Sequence, residues 1–193
     1  TQFTFETTDR ILYEDDVDIS FKANYKEEDF SKASSYKLNT FSTGIGVGYN
    51  VNPKLRNNIS LDYQIKDYSV TNSSNVASTI ASSSGENISF LLSNNLYYST
   101  LNSVLIPNNG TSIQLLNFIE TPTSSSNGYV KNTLTYKNYK KIERNIFSYQ
   151  TRIGNIFSLN NNDILTDDKF SLGGRWLRGF DSFGAGPRNS RTS

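Results

Sequence analysis

The chain has 193 residues, enough for one domain of ordinary size, and its 19 Lys+Arg against 18 Asp+Glu leave a formal charge of +1. That balance argues against a nucleic-acid partner, which calls for a basic excess gathered on one face. The lack of cysteine excludes a disulfide framework and a thiolate metal site. The lack of histidine removes the usual general base, the Ser-His triad and the commonest zinc ligand.

Paired carboxylates remain possible in principle, but most acidic residues stand at apparent turns, so neither an enzyme nor a cofactor site is expected. No run of about 18 apolar residues exists that would make a transmembrane helix. The mean hydropathy of -0.52 would suit a soluble protein. It equally suits a membrane β-barrel, in which only every second strand residue faces lipid. The start, Thr1-Gln2-Phe3, has neither an initiator Met nor a charged-then-apolar leader. A signal peptide is therefore expected to have been removed or to lie outside this stretch.

Taken in chain order, the dominant signal is period two, which marks strands. A short strand over 2–7 puts Phe3 and Phe5 on one face. Over 16–25, Val17, Ile19, Phe21, Ala23 and Tyr25 alternate with Asp16, Asp18, Ser20, Lys22 and Asn24. Over 36–50, Phe41, Ile45, Val47 and Tyr49 oppose Ser42, Gly44, Gly46 and Gly48. Over 55–66, Leu55, Ile59, Leu61, Tyr63 and Ile65 form an apolar row broken only by Asn57. The segments 87–99, 111–121 and 129–139 fit less cleanly, though the last still sets Val130, Leu134 and Tyr136 against Lys131, Thr133, Thr135 and Lys137. Over 145–159, Phe147, Tyr149, Ile153, Phe157 and Leu159 oppose Ser148, Gln150, Arg152, Gly154 and Ser158.

Strands in soluble sheets usually run about 5–6 residues, whereas crossing hydrocarbon at a tilt takes about 9–11. Most of these segments reach the longer value. Charges fall mainly on one face, and Tyr and Phe recur toward strand ends as an interfacial girdle requires. Alternation alone also fits a soluble adhesin or sandwich with long hairpins, which remains the competing reading.

The connections alternate in character. Short ones centre on Asn52-Pro53-Lys54, Pro107-Asn108-Asn109-Gly110 and Lys140-Lys141-Ile142-Glu143, while longer ones cover 27–35, 71–86 and 122–128. The Ser/Asn-rich stretch around 73–84 has no strong periodicity and is expected to be a mobile loop. Short turns at one end and long loops at the other is the pattern of an outer-membrane barrel, with the long loops outside. The fold class expected is all-β, a partial transmembrane antiparallel up-and-down barrel of about eight strands. On this pattern the strand over 145–159 runs outward.

Beyond that strand the chain reads Phe170-Ser171-Leu172-Gly173-Gly174-Arg175-Trp176, Leu177-Arg178-Gly179-Phe180, then Asp181-Ser182-Phe183-Gly184-Ala185-Gly186-Pro187-Arg188. An Arg-Gly-Phe triplet alone is a Gly-rich surface turn. Here it comes after Gly-Gly at short spacing, precedes Gly-Pro-Arg, and lies directly past an outward strand. That combination resembles the barrel of the BamA superfamily of outer-membrane protein assembly factors, whose sixth extracellular loop folds back into the lumen with a Leu/Val-Arg-Gly-Phe/Tyr motif. Tyr129-Val130-Lys131 is similar to the family's Tyr-x-Lys strand start, and the run from Pro107 to Gly110 to its Pro-x-x-Gly turn. Ser99-Thr100-Leu101-Asn102 departs from the family's Asp-x-Arg-Asp-like stretch.

The resemblance implies that the strands are roughly the fourth to eleventh of sixteen. All of 1–193 would be part of one barrel domain: strands over 1–169 and a lumen-folding loop over 170–193, with periplasmic domains and closing strands elsewhere. It implies that Arg178 reaches an acid on a later strand, because a guanidinium inside a barrel needs its charge paired. Phe180 would pack on the lumen wall, and Gly179 would let backbone pass closely. Gly173 and Gly174 would shape the bend from strand into lumen, and Gly186, Pro187 and Arg188 would extend the loop. The function implied is insertion of β-barrel proteins into the bacterial outer membrane, with a weakly paired seam as the template edge. The expected partners are outer-membrane lipid, unfolded β-barrel clients and accessory lipoproteins. The alternatives are a transporter of the same superfamily exporting one partner protein, and a passive porin-type channel.

Overall fold

The computed structural model describes residues 1–9, 17–76, 78–123, 126–161, 163–165, 167–170, 172–174 and 177–180. Its strands are β1 (Gln2–Asp9), β2 (Val17–Asp29), β3 (Tyr36–Asn52), β4 (Leu55–Val70), β5 (Gly85–Ser99), β6 (Gly110–Glu120), β7 (Tyr129–Ile142) and β8 (Asn145–Ser158). Two short helices, α1 (Ser31–Ser34) and α2 (Ser78–Ser82), lie in the connections among the described residues. All eight strands form one sheet, each antiparallel to its neighbours in sequence. From β2 onward they span 11 to 17 residues, beyond the usual soluble length.

Register carries the alternation from strand to strand. One cross-strand row reads Phe21, Ile45, Leu61, Leu92, Ile119, Val130, Phe157. Shifted by one residue, the next row reads Glu6, Lys22, Gly44, Asp62, Leu91, Glu120, Tyr129, Ser158. Because the side-chain period is two, adjacent rows point to opposite faces. Burial is inverted relative to a soluble sheet: Ile45 is 62% exposed and Phe157 57%, while Asp62 and Glu120 are each 2% exposed. A soluble sandwich buries its apolar face against a second layer. Here the apolar face is the open one, which removes that reading and leaves a barrel wall with lipid outside and polar groups inside.

The inner face tolerates long charged chains because β3 lines it with glycine. Lys22 on β2 reaches across Gly44 to Asp62 on β4, Nζ to Oδ1 3.0 Å. Arg56 on β4 reaches Asp18 on β2 at 2.5 Å, passing Gly48. A Cβ on residue 44 would collide with the Asp62 carboxylate and come within 2.7 Å of the Leu61 carbonyl oxygen. On the outer face Asn57, the break in the apolar row, donates to the Tyr49 hydroxyl at 3.0 Å, and the two stand opposite in register.

The connections correct several expectations. The β7–β8 turn is at Glu143–Arg144 rather than over 140–143, because the strand continues to Ile142. The β5–β6 connection occupies 100–109, longer than a turn at Pro107–Gly110, and exposes Val104, Leu105 and Ile106. Strand β2 continues to Asp29, which shortens the expected 27–35 loop to 30–35. The Ser/Asn-rich stretch holds α2 and buries Val76 and Ile80. These two meet Tyr36, Leu38, Tyr68 and Leu165 in the one hydrophobic cluster of the described residues, edged by Phe30 and Val70. The apolar core therefore sits at the long-loop end of the sheet, on the inner face, and roofs the polar interior below it.

Candidate functional site

Below that roof, β4 places Lys66 on the inner face, opposite Thr40 of β3 and Asn87 of β5. An ammonium so enclosed, its side chain 10% exposed, must be compensated by anions. The compensation comes mainly from the chain beyond β8. Lys66 Nζ lies 2.6 Å from Asp168 Oδ1 and 3.2 Å from Asp167 Oδ2, with Glu120 Oε2 of β6 at 3.9 Å.

Hydroxyls add a hydrogen bond to one oxygen of each of the three carboxylates. Tyr68 donates to Asp167 at 2.5 Å and Tyr129 to Asp168 at 3.2 Å. Ser126, in the β6–β7 connection, donates to Glu120 Oε1 at 2.5 Å. Lys131 of β7 donates to the Asp168 carbonyl at 2.7 Å and also lies 4.7 Å from the centre of the Phe170 ring, a cation–π distance. That ring occupies the space over Gly154 of β8, where a Cβ would come within 2.5 Å of it.

Three residues, Asp167, Asp168 and Phe170, thus touch β4, β7 and β8 on one face. The turn that aims them is held by the Asp168 amide donating to the Leu165 carbonyl at 3.1 Å. Burial pushes the Asp168 carboxyl above the ordinary carboxylate range. The Lys66 ammonium pulls the other way, and the negative charge of Asp167 adds to the rise.

The residues singled out by sequence lie just beyond. Gly173 is buried, and Leu177, Arg178, Gly179 and Phe180 are exposed. Gly173, Gly174 and Gly179 have φ of 127°, 54° and 93°, conformations that suit glycine. The Gly174 amide donates to the Phe180 carbonyl at 2.8 Å and the Phe180 amide to the Leu177 carbonyl at 3.3 Å, closing the segment on itself. Among the described residues no carboxylate pairs with Arg178. Gly186, Pro187 and Arg188 lie outside the described residues. Sequence reasoning missed Lys66, Asp167, Asp168, Glu120 and Tyr68, and singled out Tyr129 and Lys131 only as a strand start. The available signal was an Asp-Asp pair two residues ahead of Phe170, together with a lysine on the polar face of β4.

A sheet with an apolar exterior and a charged, hydrogen-bonded interior, continued by a chain that turns back onto that interior, defines a wall segment of an outer-membrane-type β-barrel with an inward-folded loop. Residues 1–193 match the model of the Omp85 superfamily domain, and the chain belongs to that superfamily. Among solved structures it is similar to BamA from Haemophilus ducreyi lacking POTRA domains 1-3. The TM-score is 0.80 at 20% identity, covering 96% of this chain and 38% of that one. This chain thus spans well under half the length of that protein. No curated protein matches it in sequence.

Proposed function

We propose that this segment is wall and lumen loop of a bacterial outer-membrane protein that folds and inserts other β-barrel proteins. The observation that carries the reading is the chain after β8. It turns onto the polar interior through Asp167, Asp168 and Phe170 and then presents Leu177-Arg178-Gly179-Phe180. A passive pore has no need of a motif-bearing loop seated in its own lumen. The work requires no bond-breaking chemistry. Clients would be unfolded β-barrel chains received at a weakly paired seam formed by other strands of the barrel, where unpaired backbone groups template an incoming strand. Outer-membrane lipid and accessory lipoproteins complete the expected partners. In this reading Arg178 meets an acid carried on a later strand, and residues 170–193 act as the lumen loop of a single barrel domain.

The test replaces Arg178 with Ala in the full-length protein, in a strain depleted of the native copy. Loss of folded outer-membrane barrels with pore conductance unchanged supports the reading. Intact barrel assembly with altered conductance refutes it in favour of a channel. Failure to secrete one partner protein, with general assembly normal, points to a transporter of the same superfamily.

A further inference from the structure

We propose that Lys66 is a positioning residue for the loop after β8, and that Asp167 and Asp168 bind it as an exchangeable latch for which Glu120 competes. Three observations lead there. First, the aspartates come from a connection, not from the wall. They are separated from Lys66 by about a hundred residues of chain, and they approach it as a pair, 2.6 and 3.2 Å away. Neither carboxylate could stay this enclosed without the ammonium, so the contact decides whether Asp167 to Phe170 lie on the wall, past the point where Leu165 anchors the chain in the apolar cluster.

Second, Glu120 is also aimed at Lys66, at ion-pair distance but without a hydrogen bond to it. Its Oε2 is buried without a hydrogen-bond partner and lies 3.9 Å from Nζ, while its other oxygen is held by Ser126. If the loop lifts away, Lys66 is not orphaned: Glu120 is within one rotamer adjustment of pairing with it. The wall therefore has a satisfied arrangement with the loop seated and another with it gone, which is what two discrete states require.

Third, the remaining contacts are of the reversible kind. Tyr68 and Tyr129 hydroxyls can exchange an aspartate for water, and Phe170 rests on the bare backbone of Gly154 rather than in an apolar pocket. Lys131 holds the Asp168 carbonyl and faces the Phe170 ring, so it moves with the same segment. The latch lies upstream of the Leu177–Phe180 motif and needs no contact from Arg178. The loop is thereby fixed at its base independently of whatever its tip grips. The functional weight of this seating rests on the proposed role in barrel insertion; the seating itself does not.

The experiment is amide hydrogen exchange by mass spectrometry on the full-length protein in detergent or lipid nanodiscs, tracking peptides that cover 163–180 beside peptides from β3 and β4. Lys66→Met is expected to speed exchange over 163–170 on the order of a hundredfold with the strands unchanged, and Lys66→Arg to restore much of the protection. Glu120→Gln is expected to slow exchange there, since it removes the competitor. Asp167→Ala with Asp168→Ala alters only the connection and removes the hydrogen-bond acceptors together with the charges, so it gives the same reading if Lys66→Met does not fold. Unchanged exchange over 163–170 in the aspartate pair variant overturns the latch, and faster exchange in Glu120→Gln overturns the competition. If the latch variants unseat the loop yet assemble barrels normally in the depletion strain, the latch stands and the assembly role of the loop falls.

Discussion

The inverted faces of the sheet make a depth-dependent prediction at Ile45. This residue is 62% exposed on the apolar face, flanked in register by Phe21 and Leu61. It lies one residue from the midpoint of the 17-residue β3. At about 3.3 Å per residue and a tilt near 45°, β3 covers roughly 40 Å along the membrane normal, against an apolar band of about 25 Å. Ile45 should therefore sit near the midplane. Val51, 55% exposed and toward the turn end of the same strand, should lie roughly 14 Å away, at or past the band's edge. An arginine facing lipid at the midplane costs about 2–4 kcal/mol, falling to about 0–1 kcal/mol near the interface. Ile45→Arg should thus shift the folding equilibrium roughly 30- to 700-fold, and Val51→Arg less than about tenfold. Denaturant titration of the full-length protein folded into phospholipid vesicles, monitored by the gel mobility of the folded form, reads both. If water rather than lipid covered this face, both substitutions would lie within about 0.5 kcal/mol of the parent, as ordinary surface changes do. Equal costs at the two positions would also refute the placement.

Three further outcomes are expected from the interior. Gly44→Val should displace the Asp62 carboxylate from Lys22 and press on the Leu61 carbonyl, costing about 1–3 kcal/mol in the same titration; Ser42→Val, one pleat away without that collision, should cost less. Gly154→Leu should push the Phe170 ring off β8, so limited trypsin treatment should cut after Lys169 faster while the strands stay resistant. The third concerns pH. The Asp168 carboxyl faces Lys66, Asp167, Glu120, Tyr129 and Lys131, and its proton affinity in the seated loop is raised above the free value by burial first, with Lys66 opposing. A carboxyl raised in the ordered state stabilises that state when protonated, and the contribution is lost as pH climbs through the raised value. Mild acid should therefore keep or tighten the seating: exchange over 163–170, corrected for the intrinsic pH effect, should be no faster at pH 5 than at pH 7.

All eight strands were located from the sequence, β1 to β4 and β8 by clear alternation and β5 to β7 less cleanly, because a barrel wall is solvated differently on its two sides and writes that difference into every second residue. Strand ends were less legible. Asp67, Tyr68, Ser69 and Val70 extend β4 beyond 66 because Tyr68 joins the apolar roof, a partner supplied by α2 and Leu165 that local pattern does not announce. The helix α2 was hidden for the same reason: Val76 and Ile80 are two apolar residues in a polar stretch, and only the roof gives them a use. The site divides similarly. The glycines and the Leu177–Phe180 run stand out because backbone freedom and a short motif are local properties. The pairing of Lys66 with Asp167 and Asp168 is not local; each reads as an ordinary surface charge until register and the returning chain bring them together.

The placement of these charges also says why a latch rather than a core holds the loop. A connection returning to the inner face of this wall meets Thr40, Asn87, Thr133 and Glu120 and finds little apolar surface to bury against. The single apolar cluster of the described residues lies higher, where α2 and Leu165 close over Tyr36, Leu38 and Tyr68. Hydrophobic burial can therefore fix the roof, but it cannot fix the chain below it. Below the roof the available forces are ion pairs and hydrogen bonds, whose net contribution depends on what replaces them when broken. With water as the only replacement, unseating Asp167 and Asp168 would leave Lys66 enclosed and uncompensated. With Glu120 3.9 Å away, the loss is partly offset by a pair the wall already contains. The same carboxylate that makes the seated cluster over-supplied with negative charge makes the unseated wall tolerable. Neutralising Glu120 should thus act in one direction on both states: it relieves repulsion when the loop is down and strands Lys66 when the loop is up.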